Sequence, residues 1–99
     1  AEQEMFGPVA NVWRVDSLDD AIARANRCDF GLGSAIFTQE AADISHAVRD
    51  IEAGSTFVNA LVASDPRLPF GGVKHSGYGR ELAADGIRAF VNRKTVSIS

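Results

Sequence analysis

The chain has 99 residues, 45% of them hydrophobic and 23% charged, with a formal net charge of -3, which suits one soluble globular domain with its own core. It carries no basic stripe or aromatic-basic interleaving, no apolar run near the roughly 18 residues of a membrane span, and no opening signal peptide. Nucleic acid and membrane are therefore not expected as partners, and a cytoplasmic setting is.

Residues 8–15 (Pro-Val-Ala-Asn-Val-Trp-Arg-Val) are rich in valine and end at Asp16-Ser17, the pattern of a strand that runs into a helix N-terminus. Ser17 is the expected cap of a helix over 18–28, with Asp19 and Asp20 in its first turn, Arg24 and Arg27 in its last, and Leu18, Ala21, Ile22 and Ala25 as its apolar stripe. Those charges match the helix dipole at both ends. Asp29-Phe30-Gly31-Leu32-Gly33 then breaks the helix, and residues 34–37 form a short buried strand. Thr38 is the expected cap of a second helix over 39–52, with Ile44, Ala47, Val48 and Ile51 at helical spacing and Gly54 as its stop. Residues 55–59 (Ser-Thr-Phe-Val-Asn) make a third strand. Strand, helix, strand, helix, strand predicts an α/β fold with a βαβαβ parallel sheet. After a long loop, residues 80–91 are expected to form a third helix with Leu82, Ile87 and Phe90 inward, weakened by Gly86. Residues 94–99 alternate like a terminal strand with no obvious internal partner, which invites an intermolecular one.

The most distinctive stretch is 64–81, with Gly71, Gly72, Gly77 and Gly79 among its residues and Pro66 and Pro69 before them. Such glycines permit close backbone approach and positive φ, while the prolines stiffen the lead-in. The loop leaves the carboxyl end of a strand, where open parallel sheets collect ligands. Its residues fit a ligand-site loop and a structural crossover equally well. Gly31-Leu32-Gly33 and Gly77-Tyr78-Gly79 begin like dinucleotide fingerprints, but Ile36 and Leu82 stand where the third glycine belongs, so both read as turns. Cys28 is the single cysteine, which excludes an intramolecular disulfide, and no histidine lies near it in sequence. His46 and His75 are far apart, are expected at the surface, and make no metal set. Asp19, Asp20, Glu40 and Asp43 read as solvated helix-face charges, whereas Glu2 and Glu4 precede Phe6-Gly7-Pro8 in a way helix physics does not require.

Four groups of residues carry a family resemblance: Glu4-Met5-Phe6-Gly7-Pro8-Val9; Asn26 with Phe30-Gly31-Leu32-Gly33-Ser34-Ala35-Ile36-Phe37-Thr38; Gly54 with Val58-Asn59; and Pro69-Phe70-Gly71-Gly72-Val73-Lys74 followed by Ser76-Gly77-Tyr78-Gly79-Arg80-Glu81. In this order and spacing they resemble the C-terminal part of the aldehyde dehydrogenase superfamily over nearly the whole chain. The lead-in Ser64-Asp65-Pro66-Arg67-Leu68 most resembles the succinate-semialdehyde dehydrogenase branch.

The resemblance implies that residues 1–75 are the C-terminal part of a catalytic domain and residues 76–99 a linking helix and an oligomerisation strand. It also implies that the nucleophilic cysteine, the general-base glutamate, the oxyanion asparagine and a Rossmann-type cofactor domain all precede the matching segment. No catalytic residue is then expected in this chain, and Cys28 is not the nucleophile. Glu4 would accept hydrogen bonds from the nicotinamide ribose hydroxyls, and Phe6 would pack against the nicotinamide end of NAD or NADP, although the segment alone is not expected to hold either cofactor. A frayed Glu4 and a core Phe6 are the alternative. Phe70 would line the aldehyde pocket, with Ser64 and Arg67 on the loop at its mouth. The planar fork of Arg67 would select an aldehyde acid, or else pair with Asp65. The implied parent is a dimeric or tetrameric oxidoreductase that converts an aldehyde such as succinate semialdehyde to its acid, and the chain is then a truncation, a cleavage product or a remnant. A non-enzymatic oligomerisation or interaction module is the alternative.

Overall fold

The computed structural model describes residues 3–99, so Glu2 lies outside the described residues. Helix α1 (Leu18–Asn26) begins where expected: the Ser17 hydroxyl accepts the Asp20 N–H at 3.1 Å, with Asp19 and Asp20 in the first turn and Arg24 in the last. Helix α2 (Ala41–Asp50) starts later than the sequence suggests, and Thr38 is not its cap. The N-cap is Glu40, which makes no capping bond, and the Thr38 hydroxyl accepts the Glu40 N–H at 3.1 Å instead. Thr38 is held back by Asn59, whose amide exchanges two 2.9 Å hydrogen bonds with the Thr38 backbone. The helix also ends before Gly54 can stop it, because Ile51 is already extended at φ -73° and ψ 123°.

Ile22 on α1 and Ala47 on α2 are the buried hydrophobic residues among those described. His46 spans the same helix pair, its Nε2 lying 3.2 Å from Asp19 and 3.0 Å from Asp50. The histidine expected at the surface is thus a half-buried link between helices.

Strands β1 (Phe30–Gly31), β2 (Gly33–Ile36), β3 (Ser55–Val58) and β4 (Val73–Lys74) form two separate pairs. β2 and β3 run parallel, with Gly33 opposite Ser55 and Ile36 opposite Val58, so β2, α2 and β3 make one βαβ unit. β1 pairs antiparallel with β4, Phe30 opposite Lys74 and Gly31 opposite Val73. The α/β class therefore holds, while among the described residues the predicted three-stranded parallel sheet is replaced by two two-stranded pairs. Residues 8–15 and 94–99 carry no strand. A strand exists through its ladder of hydrogen bonds, and among the described residues none reaches either segment from a neighbouring strand.

Helix α3 (Ala83–Arg88) is much shorter than the predicted span of 80–91. Glu81 is already committed to a bridge with Phe70, the two backbones exchanging bonds of 2.8 and 2.7 Å. Leu82 follows at φ 65°, which a helix cannot continue backward through. Ile87 and Phe90, expected inward, are exposed, Phe90 at 92%. The radius of gyration is 17.2 Å, where a compact chain of this length would have about 13 Å. The apolar faces of these elements are consequently open rather than folded onto one another.

Candidate functional site

The loop after β3 is shaped by short, specific contacts. Asn59 sits at φ 53° and is pinned to Thr38 by the reciprocal amide bonds. Residues 65–68 then make a tight turn: the Asp65 carbonyl accepts the Leu68 N–H at 2.9 Å, and Asp65 Oδ1 accepts the Arg67 N–H at 2.9 Å. The Pro66 carbonyl accepts the Ala83 N–H at 3.1 Å, which docks this turn on the start of α3. Further along, Arg80 Nη1 donates to the Gly72 carbonyl at 3.0 Å and the Gly79 carbonyl at 2.7 Å, closing the glycine-rich segment on itself. Gly54 is needed for close approach here, since a β-carbon on it would overlap the Gly71 carbonyl.

β4 anchors the other side. Ser76 Oγ accepts the Gly31 N–H at 2.9 Å, and Lys74 Nζ donates to the carbonyls of Asn26 (2.7 Å) and Cys28 (3.1 Å) while pairing with Glu52. A cation on the last carbonyl of α1, that of Asn26, complements the helix dipole. Asn26 completes the corner, donating to the Asp50 carbonyl at 2.7 Å and accepting the Glu52 N–H at 2.9 Å.

Two adjoining grooves result. The larger, about 1050 Å³, is lined by Pro66, Phe70, Tyr78, Leu82 and Phe90 among others. The smaller, about 590 Å³, is lined by Glu4, Cys28, Phe30 and His75, with the Phe30 and His75 rings edge to face at 6.2 Å. Leu32 and Ser76 belong to both. Phe70 and Glu4 therefore lie in neighbouring grooves that meet at those two residues. Phe6 lines neither groove and is 90% exposed, so it is not a core residue of this chain. Ser64 and Arg67 also line neither; both are exposed.

Arg67 is engaged with Asp65. Its Nε lies 3.0 Å from Oδ1 and its Nη2 2.6 Å from Oδ2, a bidentate pair on the solvent side of the turn. The Arg67 side-chain hydrogen bonds, then its backbone N–H, hold the Asp65 carboxyl below the usual carboxylate range. A lowered value means that the pair is intact above the ordinary carboxylate pKa and is lost only as pH falls through the depressed one.

The Cys28 sulfur accepts the Phe30 N–H at 3.5 Å. Gly31 and Gly33 lie in strands β1 and β2 rather than in the turn the sequence suggests, whereas Gly77 and Gly79 do bend the chain, with φ of 131° and 76°. Among the described residues no group of metal-ligating side chains comes together, and no helix is long and apolar enough to cross a membrane. Sequence reasoning assigned no role to Leu32 and Ser76 at the groove junction. Ser76 could have been noticed as a hydroxyl one residue before a glycine turn.

A model described as the aldehyde dehydrogenase family matches residues 1–96. An aldehyde dehydrogenase of Paenarthrobacter nicotinovorans is 56% identical over 94 residues, which cover 95% of this chain and 20% of that protein. The NADP(+) succinate-semialdehyde dehydrogenase 1 of Mycobacterium ulcerans is 55% identical over 94 residues, with the same 95% and 20% coverage. The crystal structure of succinic semialdehyde dehydrogenase from Streptococcus pyogenes, in complex with NADP+, matches with a TM-score of 0.90 at 45% identity, covering 97% of this chain and 21% of that one. The chain thus spans 20% of the length of the two curated relatives.

Proposed function

The chain belongs to the aldehyde dehydrogenase family, and from that premise we propose that it forms the substrate-facing and nicotinamide-facing wall of an NAD(P)-dependent enzyme that oxidises succinate semialdehyde, or a similar aldehyde acid, to the dicarboxylic acid. The observation that carries this reading is the junction of the two grooves at Leu32 and Ser76, with Phe70 on one side and Glu4 on the other. Hydride transfer requires the aldehyde carbon and the nicotinamide to be held side by side. Adjoining grooves suit that demand. The relatives named for succinate semialdehyde and NADP(+) support the choice of substrate and cofactor.

In this reading Glu4 accepts hydrogen bonds from the ribose hydroxyls, a task suited to an ionised carboxylate with acceptor sites only. Phe6, exposed beside it in sequence, covers the nicotinamide end. The residues fit that end of a dinucleotide alone, because neither glycine pair opens a helix that could receive the phosphates. The cofactor, when bound, supplies the hydride acceptor; this chain orients its reactive end and shields it. Phe70 lines the aldehyde site, Ser64 and Arg67 stand at its mouth, and Arg67 meets the distal carboxylate of the substrate.

The chain by itself is inactive in this reading, since nucleophile and general base lie elsewhere in the parent enzyme. Residues 94–99, with Val96 and Ile98 exposed on alternate positions, become a strand by pairing in a dimer or tetramer. The parent enzyme works in the cytoplasm. The test is Arg67→Ala in the full-length enzyme: KM for succinate semialdehyde should rise about tenfold while KM for a neutral aldehyde of similar length stays within about twofold. Equal effects on the two aldehydes would remove Arg67 from acid selection.

A further inference from the structure

We propose that Asp65 is a built-in competitor for the Arg67 guanidinium, so that an aldehyde acid binds by exchanging one carboxylate for another and Asp65 sets the preference for acidic over neutral aldehydes. The inference rests on the reading of Arg67 as the group that meets the substrate carboxylate. Its geometric basis is that the fork already holds a carboxylate bidentately, Nε on Oδ1 at 3.0 Å and Nη2 on Oδ2 at 2.6 Å. That is the arrangement an incoming carboxylate would take.

The two partners are unequally anchored. The Arg67 side chain is 85% exposed and that of Asp65 only 29%. Asp65 is also tied into the turn by the Arg67 N–H on Oδ1 and by its own carbonyl on the Leu68 N–H. The guanidinium can therefore leave while Asp65 and the turn stay in place. Pro66 and Phe70 both line the larger groove, and Arg67 lies between them in sequence, so the fork released from Asp65 belongs to the same loop as the groove wall. Exposed ion pairs are weak, so the competition costs substrate at most about fivefold in affinity. Arg67 is thereby neutralised when no substrate is present, and it discriminates only against ligands that cannot displace a carboxylate.

Asp65→Asn in the full-length enzyme tests this, because asparagine keeps an acceptor for the Arg67 N–H and removes the charge. KM for succinate semialdehyde should fall about threefold to fivefold with kcat unchanged, KM for butanal should not move, and the gain should vanish in the Arg67→Ala background. Asp65→Ser, which also keeps an acceptor for that N–H, should act in the same direction and stands in if the asparagine variant does not fold. An acid KM that is unchanged or raised, or a parallel change for butanal, overturns the competitor. If Arg67→Ala separates the two aldehydes but Asp65→Asn does not lower the acid KM, only the competitor falls. If Arg67→Ala treats both aldehydes alike, the reading of Arg67 falls and the competitor with it.

Discussion

The Asn26 amide joins the end of α1 to the end of α2, donating to the Asp50 carbonyl and accepting the Glu52 N–H. Backbone groups at a helix end have no partner within the helix, so a side chain that meets two of them from another element fixes how the helices meet. Asn26→Ala should lower the stability of the full-length enzyme by about 1–3 kcal/mol, read as a lower urea midpoint. The aldehyde KM should stay near that of wild type, because Asn26 lines none of the grooves. An unchanged midpoint would mean that water replaces the amide without cost. Asn26, Lys74 and Ser76 all stand in motifs that the sequence displays, yet their work is not legible there, since their partners are backbone groups 24 to 48 residues away. The Asp65–Arg67 pair is legible as one of two alternatives because its members are two residues apart.

Elements differ in the same way. α1 and α2 are readable because their caps, dipole charges and apolar stripes are local, and β2 and β3 because a helix between two valine-bearing or isoleucine-bearing runs implies a parallel pair. The β1–β4 pair is two residues long, too short for any periodicity. α3 is shorter than its apolar spacing of Leu82, Ile87 and Phe90 suggests, because the Phe70–Glu81 bridge and the positive φ of Leu82 are decided by tertiary contact. Gly54 shows the same contrast: it reads as a helix stop, but its structural task is to let β3 pass against the Gly71 carbonyl. Gly54→Ala places carbon against backbone rather than against a flexible side chain, so the two segments must separate. The variant should lose about 1–3 kcal/mol or more and raise the aldehyde KM as the loop shifts, measured by thermal midpoint and steady-state kinetics. A variant with wild-type values on both would show that the loop has freedom to move away.

At the scale of the molecule, composition promised a core that the chain does not close. Only Ile22 and Ala47 are buried hydrophobic residues among those described, while Val12, Phe37, Leu61, Ile87, Phe90 and Ile98 are all exposed. Burial is what offsets the conformational entropy of ordering a chain, roughly 1–2 kcal/mol per residue for the backbone alone, and an extent of 64 × 34 × 22 Å leaves most of it undone. The curated relatives are longer, this chain matching 20% of their length, and in the proposed reading the rest of such an enzyme would cover these faces. Residues 1–99 expressed alone should therefore bind an apolar dye strongly, associate with rising concentration in sedimentation velocity, and show a broad rather than a cooperative urea transition. They should also give no aldehyde-dependent NADPH signal. A monodisperse monomer with a sharp transition would mean instead that the exposed faces collapse onto one another in solution, and that the open grooves described here belong to an arrangement the isolated chain does not keep.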